Sequence, residues 1–300
     1  MSIQVQALSK YYGSQAALDQ VSFSVEKKEI LGFLGPNGAG KSTMMKILTG
    51  YIPADSGSAM VNGLDACEGS VELRKQVGYL PEHNPLYLDM YVKEFLAFIA
   101  SVYKLKDVRK RIAEVIQLTG LGAEQGKKIG ALSKGYRQRV GLAQAIIHDP
   151  AVLILDEPTT GLDPNQLEEI RHLIIRLGQE KTVLLSTHIM QEVEAICSRV
   201  IIINKGQIVA NDSTGNLKGN AFQDVVVAEF DPEPQTELFR DLGPDIRVEK
   251  ISPARFRFYS RSAGDLRKKV FEFAVSRQLA VLSLSKEEQK LEEIFRKLTT

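Results

Sequence analysis

Three short stretches carry residue types and spacings suited to chemistry. The first, GPNGAGKS from Gly35 to Ser42, fits G-x-x-x-x-G-K-[ST] and follows the apolar run Ile30 to Leu34 directly. Gly38 and Gly40 let backbone N–H groups approach phosphate oxygens with no Cβ in the way, and Lys41 brings a fixed positive charge to the β and γ phosphates of a nucleotide. The Ser42 hydroxyl suits Mg²⁺, which would neutralise a triphosphate. The second stretch, AVLILDEP from Ala151 to Pro158, places two carboxylates at the C-terminal end of a buried strand, where open parallel sheets bind ligands. Asp156 would hold Mg²⁺ mostly through water, and Glu157 is placed to polarise an attacking water as general base. The third, LSKGYRQRV from Leu132 to Val140, sets a Ser and a Gly ahead of a helix-patterned apolar run, so its backbone N–H groups should also face an anion. One nucleotide does not need two such cradles.

Elements of an α/β nucleotide fold must hold these stretches. Ile30 to Leu34 reads as a buried strand, followed by the glycine loop and an amphipathic helix over about Ser42 to Thr49. Parallel-strand signals return at Val152 to Leu155, Thr182 to Leu185 and Val200 to Ile203, with helices at about 164 to 178 and 189 to 197 between them. The first 25 or so residues read as short strands around Tyr11-Tyr12-Gly13, a hairpin or edge layer. From about Pro85 to Gln117 the periodicity is helical, an insertion in the α/β core. From Gln223 onward the order is strand (DVVVAEF), helix (TELFRDL), strand (IRVEKI), strand (RFRFYS), helix (DLRKKVFEFAVSR), strand (AVLSL) and closing helix (LEEIFRKLT), the βαββαβ order of a ferredoxin-like domain.

The bulk numbers bound the partners. The chain has 300 residues, 44% of them hydrophobic, and 38 basic residues balance 37 acidic ones. That size favours two units, and a net charge of +1 argues against wrapping nucleic acid or coating an acidic membrane. Cys67 and Cys197 show no metal spacing and read as packing residues of a protein in a reducing cytosol. No signal peptide is expected, and every apolar run is strand-sized, so any membrane crossing falls to another chain.

GPNGAGKST, LSKGYRQRV, LILDEPTTGLDP and LLSTH, in that chain order but with the second after a helical insertion, resemble the ATP-binding subunit of an ABC transporter over about residues 2 to 218. The resemblance implies a P-loop ABC ATPase fold, with a mostly parallel sheet, an antiparallel β layer and a helical insertion over about 85–147, in residues 1–218. Residues 219–300 form the small α+β accessory domain. It implies that ATP lies against Gly35, Pro36, Asn37, Gly38, Ala39, Gly40, Lys41, Ser42 and Thr43, with Tyr12 stacked on the adenine unless its neighbour Tyr11 serves instead. Ser133, Lys134 and Gly135 match the family's signature, which closes over the nucleotide held by the other subunit. The dimer is a homodimer or one with a close paralogue. Asp163 matches the loop through which the subunits communicate, and His188 the switch histidine that bonds the γ phosphate and Glu157.

Two departures stand out. Lys134 and Tyr136 replace a Gly and a Gln of the usual signature, although Ser133 and the Gly135 backbone are kept. Glu82 stands where the family has a glutamine that joins Mg²⁺ and senses the membrane subunit; its carboxylate still ligates a hard cation but adds charge beside the triphosphate. Together with the extra C-terminal domain, these features are most similar to the ATPases of ABC-2-type exporters, and within them to the gliding-motility-associated branch. The resemblance implies a peripheral subunit at the cytoplasmic face of the cell membrane that drives a separate transmembrane permease and binds no nucleic acid. A permease helix is expected to dock near Leu86, Tyr87, Tyr91 and Phe95. His83, His148 and His172 read as loop or helix-surface residues. The alternative is a soluble ABC ATPase acting on ribosomes or nucleic acid, disfavoured by the single cassette and the lack of a heptad run.

Overall fold

A computed structural model describes residues 1–216, 224–260, 265–287, 295 and 298–299. The chain divides into two compact units, Met1–Asp212 with Thr299, and Ser213–Leu298 with Thr300. Among the described residues, no helix is long and apolar enough to cross a membrane.

The first unit opens with β1 (Ile3–Tyr12) and β2 (Gln15–Val25), an antiparallel hairpin turned by Gly13. The apolar β3 (Ile30–Leu34) leads through the glycine loop into α1 (Lys41–Leu48). Next come β4 (Ser56–Val61) and β5 (Leu64–Asp65), which join β1 and β2 in a sheet of order β2-β1-β4-β5. A short helix, α2 (Val71–Gln76), runs without a break into β6 (Val77–Leu80). The helices α3 (Val92–Val102), α4 (Val108–Leu118) and α5 (Lys134–Ile146) then separate β6 from β7 (Val152–Asp156). The remaining elements are α6 (Pro164–Gly178), β8 (Thr182–Thr187), α7 (Met190–Ile196), β9 (Arg199–Asn204) and β10 (Gln207–Ser213).

The main sheet has the order β10-β9-β3-β8-β7-β6, and its pairs from β9 to β6 are parallel. Val152 to Leu155 on β7 are fully buried, as expected of a strand covered on both faces; burial of each stabilises the unit by about 1.5–3 kcal/mol. Phe23 of β2 meets Phe33 of β3 at 5.6 Å between ring centroids, inside a core that also takes Met44, Ile47 and Leu48 from α1. Cys197 is buried in contact range of Gly32, and burial, with Glu192 second, pushes its thiol pKa up. It is an inert packing residue.

This strand order decides where the chemistry lies. β8 sits between β3 and β7, with Leu34 opposite Thr187 and Asp156 opposite Ser186. The phosphate loop after β3, the carboxylates at the end of β7 and His188 after β8 therefore leave neighbouring strands at one edge of the sheet.

The second unit contains β11 (Asp224–Asp231), a 3-10 helix (Thr236–Leu242), β12 (Ile246–Ser252), β13 (Arg255–Ser260), α8 (Leu266–Ser276) and β14 (Ala280–Lys286). Its sheet order β12-β13-β11-β14 is antiparallel, with β14 and β13 flanking β11, which is the ferredoxin-like arrangement. Phe230, Phe239, Phe256 and Phe258 form its core. TELFRDL winds as a 3-10 helix, because its buried residues Phe239 and Leu242 are three apart and a three-residue turn stacks them on one face. Arg267, Lys268 and Lys269 are exposed on α8, with Arg267 2.7 Å from Asp265: a solvated face. The expected closing helix LEEIFRKLT falls mostly outside the described residues, as does the expected boundary at residue 218.

Candidate nucleotide and hydrolysis site

The phosphate loop has the shape its glycines permit. Gly38 and Gly40 have φ of 79° and 108°, the left-handed region open to glycine. A Cβ on Gly40 would also run into the Ala17 carbonyl oxygen. Gly40 caps α1 without a side-chain acceptor, so the first N–H groups of the helix stay available to a ligand. Lys41, only 7% exposed, donates from Nζ to the carbonyl oxygens of Gly35 at 2.7 Å and Pro36 at 3.3 Å, which holds the loop closed around its ammonium. Burial pulls the Lys41 pKa below its ordinary value, while the carboxylates of Glu157, Asp156 and Glu82 work the other way.

Glu157 faces Lys41 across the cleft, Oε1 to Nζ 3.9 Å. Its Oε2 lies 2.8 Å from His188 Nδ1 and accepts from Thr160 Oγ1 at 3.1 Å. The residue is buried and has φ of 51°, a conformation a non-glycine residue adopts only when its surroundings enforce it. One restraint is the Glu157 N–H, which donates to the Ser186 carbonyl oxygen at 2.9 Å. A carboxylate fixed in this way, with an imidazole on one oxygen and an ammonium near the other, can orient and deprotonate a water.

The donors for a cation lie beside it. Asp156 is 2% exposed, and its Oδ1 has no hydrogen-bond partner among the described residues. Asp156, Ser42 and Glu82 line one cleft, an all-oxygen set with an unpaired carboxylate oxygen that fits a hard cation such as Mg²⁺. Among the described residues no group of three or more His, Cys, Asp or Glu could hold a metal alone, so phosphate oxygens and water would complete the shell.

A cleft of about 690 Å³ gathers most of the expected residues: Tyr12, Asn37, Gly38, Gly40, Lys41, Ser42, Thr43, Glu82, Glu157 and His188 all line it. Gln15, Ala17 and Thr160 line it too, and none of these was expected from sequence. Thr160 sits inside the LDEPTTGLDP stretch, so its position was the available signal. Of the two tyrosines, Tyr12 faces this cleft, whereas the Tyr11 N–H is tied to Asp55 Oδ2 at 2.6 Å.

Ser133, Lys134, Gly135 and Asp163 do not line the cleft of their own chain. Ser133 caps α5, its Oγ accepting from the Tyr136 N–H at 3.4 Å, and Lys134 is exposed. Gly135 is buried against Gln166, whose carboxamide leaves no room for a Cβ, and Lys134 Nζ lies over Gly161. Asp163 caps α6 through a 2.9 Å bond from the Gln166 N–H, worth about 1 kcal/mol. Gln166 thus joins the signature to the loop that ends at Asp163.

A second cleft, of about 640 Å³, meets the first at Ser42 and Glu82 and corrects two expectations. The apolar residues at Glu82 are Tyr79, Ile99, Val102 and Tyr103 rather than the expected group. Phe95 is 1% exposed and belongs to the core because it points to the inner face of α3; Leu86 is half-buried, and Tyr87 and Tyr91 stay exposed. His148 is no surface residue: its ring stacks on Tyr103 at 3.9 Å, and its Nε2 lies 3.2 Å from the Val77 carbonyl oxygen. Burial lowers its pKa to about 4, so the imidazole is neutral at physiological pH.

Comparison with known proteins agrees with this geometry. The family model described as ABC transporter matches residues 18–160. The linearmycin resistance ATP-binding protein LnrL of Bacillus subtilis (strain 168) is 31% identical, over 99% of this chain and 98% of its own. A solved ATP-binding subunit of an ABC transporter is 28% identical, with a TM-score of 0.67 over 74% of this chain and 93% of its own. A dimeric bacterial ABC transporter cassette shares the fold, with a TM-score of 0.65 at 24% identity over 70% of this chain and 98% of its own. The chain therefore belongs to the ABC transporter family as an ATP-binding subunit, and it is an ATPase.

Proposed function

We propose that this ATPase binds Mg²⁺-ATP in the cleft at Gly35 to Thr43, dimerises on it, either with itself or with a close paralogue, and drives a separate permease from the cytoplasmic face of the membrane. The observation that carries this reading is the Glu157 carboxylate, 2.8 Å from His188 Nδ1 and 3.9 Å from Lys41 Nζ, at the C-terminal edge of the parallel sheet. Tyr12 stacks on the adenine, and the N–H groups of the phosphate loop, with Thr43 behind them, hold the phosphates. Lys41 fixes the β and γ phosphates, and Ser42, Asp156 and Glu82 would hold Mg²⁺. The ion, when bound, neutralises charge on the triphosphate. Glu157 takes the proton of the attacking water, and His188 holds Glu157 and meets the γ phosphate. Ser133, Lys134 and Gly135 of one copy close over the nucleotide of the other, with Asp163 between the two sites.

Residues 1–218 form the ATPase domain, with a helical insertion over 85–147, and 219–300 an accessory domain. The permease segment docks in the cleft where Glu82 meets Ile99, Val102 and Tyr103, so that nucleotide and permease act on the same loop. The C-terminal domain and the Lys-Gly-Tyr signature support an ABC-2-type exporter of the gliding-motility-associated branch. A relative named for linearmycin resistance supports transport over action on ribosomes or nucleic acid. Replacement Glu157→Gln tests the reading: hydrolysis should fall by about 100-fold or more while ATP binding stays and the ATP-bound dimer accumulates. Hydrolysis near the wild-type rate removes Glu157 from this role.

A further inference from the structure

Behind the hydrolysis site lies a second carboxylate that takes no direct part in it. Glu192, in the first turn of α7, is 0% exposed. A buried carboxylate is costly unless hydrogen bonds satisfy its oxygens, and here threonine hydroxyls do so. Thr159 Oγ1 donates to Glu192 Oε1 in a short bond, and Thr187 Oγ1 donates to Oε2 at 2.7 Å. Thr187 Oγ1 in turn accepts from the Ile189 N–H at 3.1 Å, which fixes the direction of its proton. Both threonines are buried, Thr159 at 2% and Thr187 at 0% exposure.

The place of these hydroxyls in the chain gives the contact its meaning. Thr159 lies two residues after Glu157, and Thr187 immediately before His188. The 2.8 Å contact between Glu157 and His188 joins two loops that leave different strands, β7 and β8, and nothing in either loop alone sets their spacing. Glu157 also sits at φ of 51°, a conformation its neighbours must impose. Glu192 grips both loops from the same helix.

We propose that Glu192 is a positioning residue: by accepting hydrogen bonds from Thr159 and Thr187 it holds the Glu157 loop and the His188 loop at the spacing that hydrolysis requires. This rests on Glu157 and His188 carrying the hydrolysis, as proposed above. Hydrogen bonding and not charge is the operative property, so a glutamine, which can accept from one hydroxyl and donate to the other, largely replaces it.

The test measures ATP affinity and steady-state hydrolysis of the full-length protein. Glu192→Leu should lower kcat by about 10-fold to 100-fold, since a displacement near 1 Å has that cost, with KM and ATP affinity within about twofold of wild type. Glu192→Gln should recover kcat to within about threefold. Wild-type kcat in Glu192→Leu, a parallel loss of kcat and ATP affinity, or a Gln variant as slow as Leu each overturns the proposal. If Glu192→Leu does not fold, Thr159→Val and Thr187→Val decide: each should lower kcat at unchanged ATP affinity, and wild-type kcat in both overturns it. Glu157→Gln, measured alongside, separates the two readings. If it hydrolyses normally, the assigned base is wrong; if it is inactive while Glu192→Leu is normal, only the role of Glu192 fails.

Discussion

Two helix N-termini in this chain look alike in sequence and differ in structure. At α1 the Gly40 cap leaves the N–H groups uncapped by any side chain, and Lys41, Ser42, Glu157 and His188 close a cleft around them. At α5 the Ser133 side chain already satisfies one N–H group, Gly135 is filled by Gln166, and Ser133 and Lys134 face outward. The first is a finished half of a site with its chemistry in the same chain. The second has a surface suited to an anion but no catalytic group of its own beside it. A physical reason for two cradles follows: the second serves a nucleotide that another copy holds.

Breaking each cradle should have unequal effects. Lys41→Ala removes the buried ammonium between Gly35 and Pro36, and ATP affinity should fall by about 100-fold in a direct binding measurement; tight binding by that variant contradicts the assignment of the loop. Ser133→Glu places a negative charge on the outward cradle. Hydrolysis should fall by about 10-fold or more, while ATP binding to the single chain stays within about twofold, and size-exclusion profiles in ATP should lose the dimer. If ATP binding to the single chain drops instead, the two cradles serve one nucleotide.

The smallest effect concerns how α5 is anchored at its other end. Arg111 donates to the Ile146 and Ile147 carbonyl oxygens at 2.7 and 2.8 Å, and His148 reaches Val77 on β6. With a folded pKa near 4 and an unfolded one near 6.5, the unfolded chain binds the extra proton between those values. The stabilisation from a neutral His148 is therefore complete above about pH 6.5 and is lost as pH falls toward 4, by about 2–3 kcal/mol in all. His148→Phe keeps a ring against Tyr103 and removes the titration, so its melting temperature should decline less over that window. Equal declines in both proteins would show that His148 titrates in the folded state as it does in water.

The nucleotide site was legible because its residues are contiguous: Gly35 to Thr43 and Asp156-Glu157 each form one unbroken stretch at a strand end, where loop geometry leaves few alternatives. The central strands were legible from runs such as Val200 to Ile203. β4 was not, since SGSAMV has few apolar residues and gains its place from pairing with β1; nor was β6, which follows α2 without a turn residue. Glu192 was invisible for a different reason. On a short helix with Glu194 nearby it reads as a solvated charge, and only the approach of Thr159 and Thr187 from distant loops reveals it as buried. His148 is a parallel case, because its partner Tyr103 lies across the helical insertion. Phe95 misled in the opposite sense: an aromatic near the expected docking groove proved to be core.

The central claim, that one copy is an incomplete enzyme, is tested most directly by mixing two inactive variants. Lys41→Ala spoils the inner cradle and spares the outer one, and Ser133→Glu does the reverse, so a mixed dimer contains one site in which both halves are intact. Hydrolysis by an equimolar mixture should rise well above the sum of the two separate proteins, toward about a quarter of wild type if dimers form at random and the sites act independently. A mixture no more active than that sum would contradict the shared site.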